Sequence, residues 1–229
     1  KRVIQMGENP RNVYCVGGLG VDNIKTTSLY TKTALQEKLN VKFLKKVVLV
    51  TYHPETLKKQ SSKYNLNSLF KALETLKNTT VIFTMPNSDI ESILIYNLIS
   101  KFVSTKKNYY LFKSLGPKLY YSCCKHSDFM IGNSSSGVLE MPTFKKFSIN
   151  IGERQTGRIK AKSVIDSKAQ TQNIIKAIKF VLNPINKLKI KNVANPYGKG
   201  GASKKIIKVL KNKKFNDLIK KDFFNIKFK

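Results

Sequence analysis

Acidic residues are scarce: 13 Asp and Glu stand against 43 Lys and Arg in 229 residues, a net charge of +30. So positive a surface ordinarily points to nucleic acid or an anionic membrane. The lysines, however, are scattered as doublets such as Lys45-Lys46, Lys106-Lys107, Lys145-Lys146 and Lys204-Lys205, with no tract interleaved by stacking aromatics. They read as solvated helix faces, so no nucleic-acid partner is expected, and the positive field favours an anionic substrate. Cysteine is equally sparse. Cys15, Cys123 and Cys124 are odd in number, lack Cys-x-x-Cys spacing and include an adjacent pair, which suits neither a disulfide framework nor a zinc site. With His53 and His126 as the two histidines, no metal and no cofactor are expected, and the setting is read as reducing and cytoplasmic. Long apolar runs are missing too. Val47 to Val50 and Val81 to Phe83 fall far short of the ~20 residues a membrane span needs. The chain begins at Lys1, so its native start is read as missing and any leader is not legible.

What the sequence does hold is a recurrence of β-branched apolar runs separated by amphipathic stretches, the pattern of βα units on a parallel sheet. Strands are expected at Val13 to Val16, Val47 to Thr51, Thr80 to Thr84, Tyr109 to Phe112, Phe129 to Gly132 and Phe147 to Ile151. Helices are expected at Leu66 to Leu76, Asp89 to Val103, Lys118 to Lys125, Gln172 to Val181 and Ser203 to Leu210. Ser88-Asp89, followed by Glu91, gives the second of these an acidic first turn. The strands are nearly continuous apolar runs, which implies helices on both faces and a doubly wound, Rossmann-like α/β sheet. Residues 1–11 read as a linker, 12–213 as one nucleotide-binding domain, and 214–229 as a basic tail or helix.

Ligands of open parallel sheets bind beyond the carboxyl ends of the strands, so the residues that follow each strand are read as a set. Asn133-Ser134-Ser135-Ser136-Gly137 combines small residues, hydroxyls and backbone N–H groups at a helix start, suited to a phosphate or, more plainly, to N-capping. Glu140 lies one turn on, placed to accept from sugar hydroxyls or to serve the helix dipole. Arg154 and Arg158 are two of four arginines in a chain that otherwise uses lysine, a choice that favours bidentate phosphate contact over a solvated charge. His53, in Thr51-Tyr52-His53-Pro54-Glu55, is placed to donate to a phosphate or assist a leaving group, or to be structural. Asn87, after Pro86, is placed for a base or phosphate, or to shape its loop. Gly17-Gly18-Leu19-Gly20 fails the dinucleotide spacing because Asn23 holds the last position, and reads as a tight turn where backbones approach.

These segments together resemble the hydrolysing UDP-N-acetylglucosamine 2-epimerases, in particular the branch serving sialic and legionaminic acid synthesis. The resemblance is carried by Arg2 to Glu8, Thr51 to Glu55, Pro86 to Asp89, Gly132 to Glu140, Asn150 to Arg158, and Asn195-Pro196-Tyr197-Gly198-x-Gly200. It implies one half of a glycosyltransferase-B arrangement, with the N-terminal Rossmann-like domain missing. It also implies UDP-sugar binding through Asn87, Ser134, Ser135, Ser136, Gly137, Glu140 and Arg158, with His53 and Arg154 in catalytic roles. The implied reaction converts UDP-N-acetylglucosamine and water to N-acetylmannosamine and UDP through a glycal. The carboxylates for proton transfer are expected in the absent half, and the piece alone is expected to bind UDP without turnover. A homo-oligomer is implied for the intact protein. A GDP- or UDP-diacetamido-sugar 2-epimerase and a nucleotide-sugar glycosyltransferase are the alternative enzymes.

Overall fold

The computed structural model describes residues 1–54, 61–86, 92–213 and 222–226. Its strands are β1 (Lys46–Thr51), β2 (Thr79–Thr84), β3 (Tyr109–Phe112), β4 (Phe129–Gly132), β5 (Phe147–Ile151) and β6 (Val164–Ser167). Its helices are α1 (Arg2–Gln5), α2 (Leu19–Thr26), α3 (Lys32–Leu39), α4 (Ser61–Glu74), α5 (Ser92–Ser104), α6 (Gly116–His126), α7 (Ser136–Leu139), α8 (Thr171–Leu182), α9 (Pro184–Lys189) and α10 (Ala202–Asn212). Among the described residues no helix is long and apolar enough to cross a membrane.

All strand pairings are parallel, in the order β3-β2-β1-β4-β5-β6. The winding direction therefore reverses between β1 and β4. In such a sheet the connections leave β1 and β4 on opposite sides and open a crevice beyond their carboxyl ends. His53 follows β1 and Asn133 follows β4, so the two meet at that crevice.

Alternate residues of the strands bury opposite faces. Val48, Val50, Phe83, Ile131 and Ile149 pack under α4, α5 and α8, through Leu66, Leu69, Ile95, Ile99, Ile174 and Ile178. Val47, Leu49, Ile82 and Met130 pack under α3 and α6, through Leu35, Leu39, Cys123 and Cys124. This two-sided burial is why the strands read as unbroken apolar runs. Phe83 is fully buried inside an aromatic cluster: Phe70 and Phe102 stack with centroids 4.0 Å apart, and Phe83 stands edge-on to both at 6.4 and 6.3 Å.

One expectation changes. Residues 13–16 form no strand; Tyr14 and Cys15 are exposed, so the run has no core to bury against. The sixth strand is instead β6, whose sequence Val-Ile-Asp-Ser is half-buried at the sheet edge and too polar to stand out as a strand. The segment read as a linker carries α1 and, at its end, a 3-10 turn (Pro10–Asn12). Gly7 accepts from Phe224 N at 2.8 Å, so this segment and residues 222–226 pack together. The acidic first turn expected at Ser88, Asp89 and Glu91 lies outside the described residues, as does most of the basic tail.

The glycine turn is a close approach, with a different partner from a strand end. Gly18 N donates to Tyr197 O at 2.7 Å, and a Cβ on Gly17, whose φ is +99°, would meet that same oxygen at 3.3 Å. Asp22 of α2 then caps α10, accepting from Ser203 N at 2.8 Å, Ser203 Oγ at 2.7 Å and Ala202 N at 3.1 Å. These bonds, those from Ser203 foremost, hold its carboxyl at about 2.

Phe83→Ala empties the centre of the aromatic cluster and is expected to cost about 3–5 kcal/mol in chemical denaturation, through lost burial and a residual cavity. A loss under ~1 kcal/mol contradicts this packing.

Candidate functional site

The crevice at the β1/β4 reversal is an open cavity of about 420 Å³. Its walls are the ends of β1, β2 and β4, the turn from Lys113 to Pro117, and Tyr120 and Tyr121 of α6. His53, Ser134, Ser136 and Glu140 all line it.

Asn133 fixes how these groups meet. It is fully buried, and its side chain brackets the His53 backbone, Oδ1 accepting from His53 N at 2.7 Å and Nδ2 donating to His53 O at 2.8 Å. Asn133 N donates to Thr51 O at 3.2 Å. Its carbonyl accepts from Gln155 Nε2 at 2.8 Å and from Arg154 Nη1 at 3.3 Å. The strand ends can come this close because residue 132 is glycine: at φ +141° a Cβ there would lie 2.0 Å from Thr51 O. Asn133 is thus spent on the protein itself, and the loop's offer to a ligand starts at Ser134.

Within the loop, Ser134 Oγ accepts from Ser136 N at 3.3 Å, and Ser136 Oγ donates to Glu140 Oε2 in a short bond. Ser134 thus closes a local turn, while Ser135, the residue at the N-cap of α7, makes no side-chain capping bond. The N–H groups of Ser134 and Ser135 and the Ser135 hydroxyl have no hydrogen-bond partner among the described residues. They are the groups left to receive an acceptor. The expected helix dipole contributes little, because α7 is a single turn of four residues running into a 3-10 turn at Met141–Phe144. Gly137 serves packing: a Cβ there would meet Ser148 Cβ at 3.3 Å, and its carbonyl accepts from Ser148 Oγ at 2.5 Å.

Glu140 stands at the cavity wall, half-buried. Burial pushes its carboxyl above the ordinary glutamate value, and the bond from Ser136 offsets part of that rise. Behind it, burial pushes the Tyr120 hydroxyl and the Cys124 thiol well up, so both stay protonated and neutral. Thr51 and Thr84 close the floor with their hydroxyls 2.6 Å apart. Arg154 is exposed and reaches the loop through the Asn133 carbonyl rather than from within the cavity. Arg158 is also exposed; its backbone N donates to Gln155 O at 3.4 Å, and its side chain has no partner among the described residues. Asn87 lies outside the described residues.

Two supports were not singled out in the sequence. Gln155 is 1% exposed and anchors the Arg154 turn; a glutamine flanked by arginine and threonine carries no burial signal. Asn195 donates to Leu139 O at 2.7 Å and Thr143 Oγ1 at 2.8 Å, which pins the end of α7. The Asn-Pro-Tyr-Gly turn carried that signal in its composition. Among the described residues no group of three or more His, Cys, Asp or Glu stands together to hold a metal ion.

Residues 1–211 match the family described as UDP-N-acetylglucosamine 2-epimerase. The chain is 40% identical over 171 residues to the GDP/UDP-N,N'-diacetylbacillosamine 2-epimerase (hydrolyzing) of Campylobacter jejuni, a match covering 73% of this chain and 44% of that protein. To the polysialic acid biosynthesis protein P7 of Escherichia coli it is 36% identical over 233 residues, 99% of this chain and 58% of that protein. The S. aureus MnaA-UDP co-structure shares the fold at TM-score 0.72 and 20% identity, over 97% of this chain and 59% of that one. The chain spans about half the length of the curated relatives it matches.

Carbon-13 NMR titration of the glutamate carboxyls is expected to place Glu140 above an ordinary glutamate, and Ser136→Ala to raise it further, since that bond favours the charged form. A Glu140 carboxyl that titrates with the exposed glutamates, or is lowered by Ser136→Ala, contradicts the geometry.

Proposed function

We propose that this chain, which belongs to the UDP-N-acetylglucosamine 2-epimerase family, is the nucleotide-diphosphate-binding unit of a hydrolysing nucleotide-sugar 2-epimerase. The observation that carries the reading is the pair of N–H groups at Ser134 and Ser135 that have no partner among the described residues, in the loop whose Ser134 lines the switch-point cavity with His53 and Glu140. Phosphate oxygens accept from backbone donors of this kind, and the crevice of a doubly wound sheet is where nucleotides lie.

The roles follow from chemistry. Ser134 and Ser135 hold the diphosphate through their N–H groups and the Ser135 hydroxyl, and Arg154 adds a delocalised positive charge at the edge of the loop. Glu140, ionised, accepts from the ribose hydroxyls. His53 donates to the diphosphate as it leaves. Ser136 keeps Glu140 in place, Gly137 lets α7 sit on β5, and Asn87 and Arg158 complete the nucleotide contacts.

The reaction we assign removes the proton at sugar C2 and breaks the C1–O bond to the diphosphate, the electron pair leaving with UDP and a glycal remaining. Water then adds across the double bond, hydroxyl to C1 and proton to the opposite face of C2. UDP-N-acetylglucosamine gives N-acetylmannosamine by this route. Glu140 is the one carboxylate lining the cavity among the described residues, and it is engaged with the ribose, so the C2 proton steps are assigned to groups outside this chain. A diacetamido sugar on the same diphosphate meets the same contacts, and the name of the Campylobacter jejuni relative favours it as the second substrate.

Isothermal titration of the 229-residue chain is expected to give UDP binding at neutral pH. Arg154→Ala should weaken it about tenfold or more, as for loss of a charge-assisted bond, and Ser135→Ala by several-fold, about 1 kcal/mol. As pH falls toward the glutamate range, affinity should drop in the wild type, because ribose hydroxyls bond the carboxylate and not the acid; Glu140→Gln should lack that limb. No UDP binding to the wild type, with nucleotide-independent Arg154→Ala behaviour, would overturn the assignment.

A further inference from the structure

Arg154 is exposed, and a free arginine on a surface turn samples many rotamers, whose loss on binding costs about 2 kcal/mol. Here it is already restrained. Its Nη1 donates to Asn133 O at 3.3 Å, which leaves the rest of the guanidinium fork without a partner among the described residues. That carbonyl is itself immobilised from every side. The peptide N–H of Asn133 bonds Thr51, its side chain brackets His53, and Gln155 Nε2 bonds the same oxygen at 2.8 Å.

Gln155 sits in the turn that carries Arg154, closed by Thr156 N to Glu153 O at 2.8 Å and tied outward by Arg2 Nη1 to Gly157 O at 2.6 Å. Its side chain is almost wholly buried, and its Oε1 has no partner among the described residues. The amide orientation is nonetheless fixed, because the flipped form would set Oε1 against the Asn133 carbonyl oxygen, acceptor against acceptor. A buried glutamine with one bond made and one acceptor unsatisfied is a costly choice for packing alone. Its single bond goes to the atom that Arg154 also uses.

We propose that Gln155 is a positioning residue: it locks the β5 turn to the Asn133 carbonyl so that Arg154 presents its free donors to the diphosphate at Ser134 and Ser135 before the nucleotide arrives. This rests on the nucleotide reading of the site. Arg154, Gln155, Asn133 and His53 then form one rigid unit spanning the ends of β5, β4 and β1. The benefit falls on the phosphates alone, since Gln155 is absent from the cavity wall where the nucleoside would lie.

The test titrates the 229-residue chain with UDP and, by NMR, with uridine, and takes Gln155→Met, Arg154→Ala and the double variant through a double-mutant cycle. Gln155→Met, which keeps length and burial but loses the donor, is expected to weaken UDP about tenfold, leave uridine unchanged, and cost nothing further in the Arg154→Ala background. UDP affinity within twofold of wild type, equal losses for UDP and uridine, or losses that add in the double variant would each overturn the proposal. Failure of the wild type to bind UDP would instead remove the nucleotide reading. If Gln155→Met does not fold, Arg154→Lys decides the matter: it keeps the charge but has no fork to serve Asn133 and phosphate together, so unchanged UDP affinity in that variant refutes the restraint.

Discussion

The two hydrogen bonds from the Asn133 side chain to the His53 backbone are the contact on which the site depends. A parallel sheet brings neighbouring strand ends side by side but leaves the segments beyond them free to diverge. Asn133 prevents that divergence at the one place where the winding reverses. Its burial means that either unmade bond would leave a polar group stranded, at about 1–3 kcal/mol, so bracket and close packing enforce one another. Gly132 is the steric condition for the bracket, because any side chain at that residue would strike the Thr51 carbonyl. The turn bearing Arg154 and Gln155 is then built onto the Asn133 carbonyl, and the short Ser136–Leu139 helix follows directly in sequence.

This arrangement alters the meaning of the serine loop. Such a loop suggests anion binding through a helix dipole, yet one turn of helix supplies little dipole, and Ser134 and Ser136 are partly engaged with Ser136 N and Glu140. What the fold leaves available is more limited and more directional: two adjacent N–H groups and a hydroxyl, beside a carboxyl that burial makes easier to protonate. The large positive charge of the chain supplies long-range attraction for an anion, while these few donors decide where it stops.

The four inner strands were legible because burial on both faces forces nearly continuous apolar runs, the edge strand β3 from its run Tyr-Tyr-Leu-Phe, and the amphipathic helices α4, α5, α6, α8 and α10 from their 3.6-residue period. The misreadings fall where apolar composition and burial part company. Val13 to Val16 has strand composition and no partner; Val164 to Ser167 pairs at the edge with half-buried, partly polar residues. Helix α3 escaped notice because its Leu35 and Leu39 are the two residues it buries. Of the candidate site, His53, Glu140 and Arg154 are residue types that mark chemistry in any context, and they were named from the sequence as candidates; the structure sets His53 and Glu140 on the cavity wall and Arg154 against the Asn133 carbonyl. Asn133 and Gln155 were not recognised as the frame, since an amide that bonds backbone carbonyls across strands looks, in sequence, like any loop amide. The absence of a side chain at Gly137 also serves the fit of α7 on Ser148, a packing role that the loop's composition does not announce.

The most direct measurement is a crystal structure of the chain grown with UDP. The diphosphate is expected within hydrogen-bond distance of Ser134 N and Ser135 N, the ribose on Glu140, and the Asn133 bracket on His53 unchanged. A nucleotide bound elsewhere on the basic surface, or diphosphate oxygens that contact neither serine amide, would contradict it.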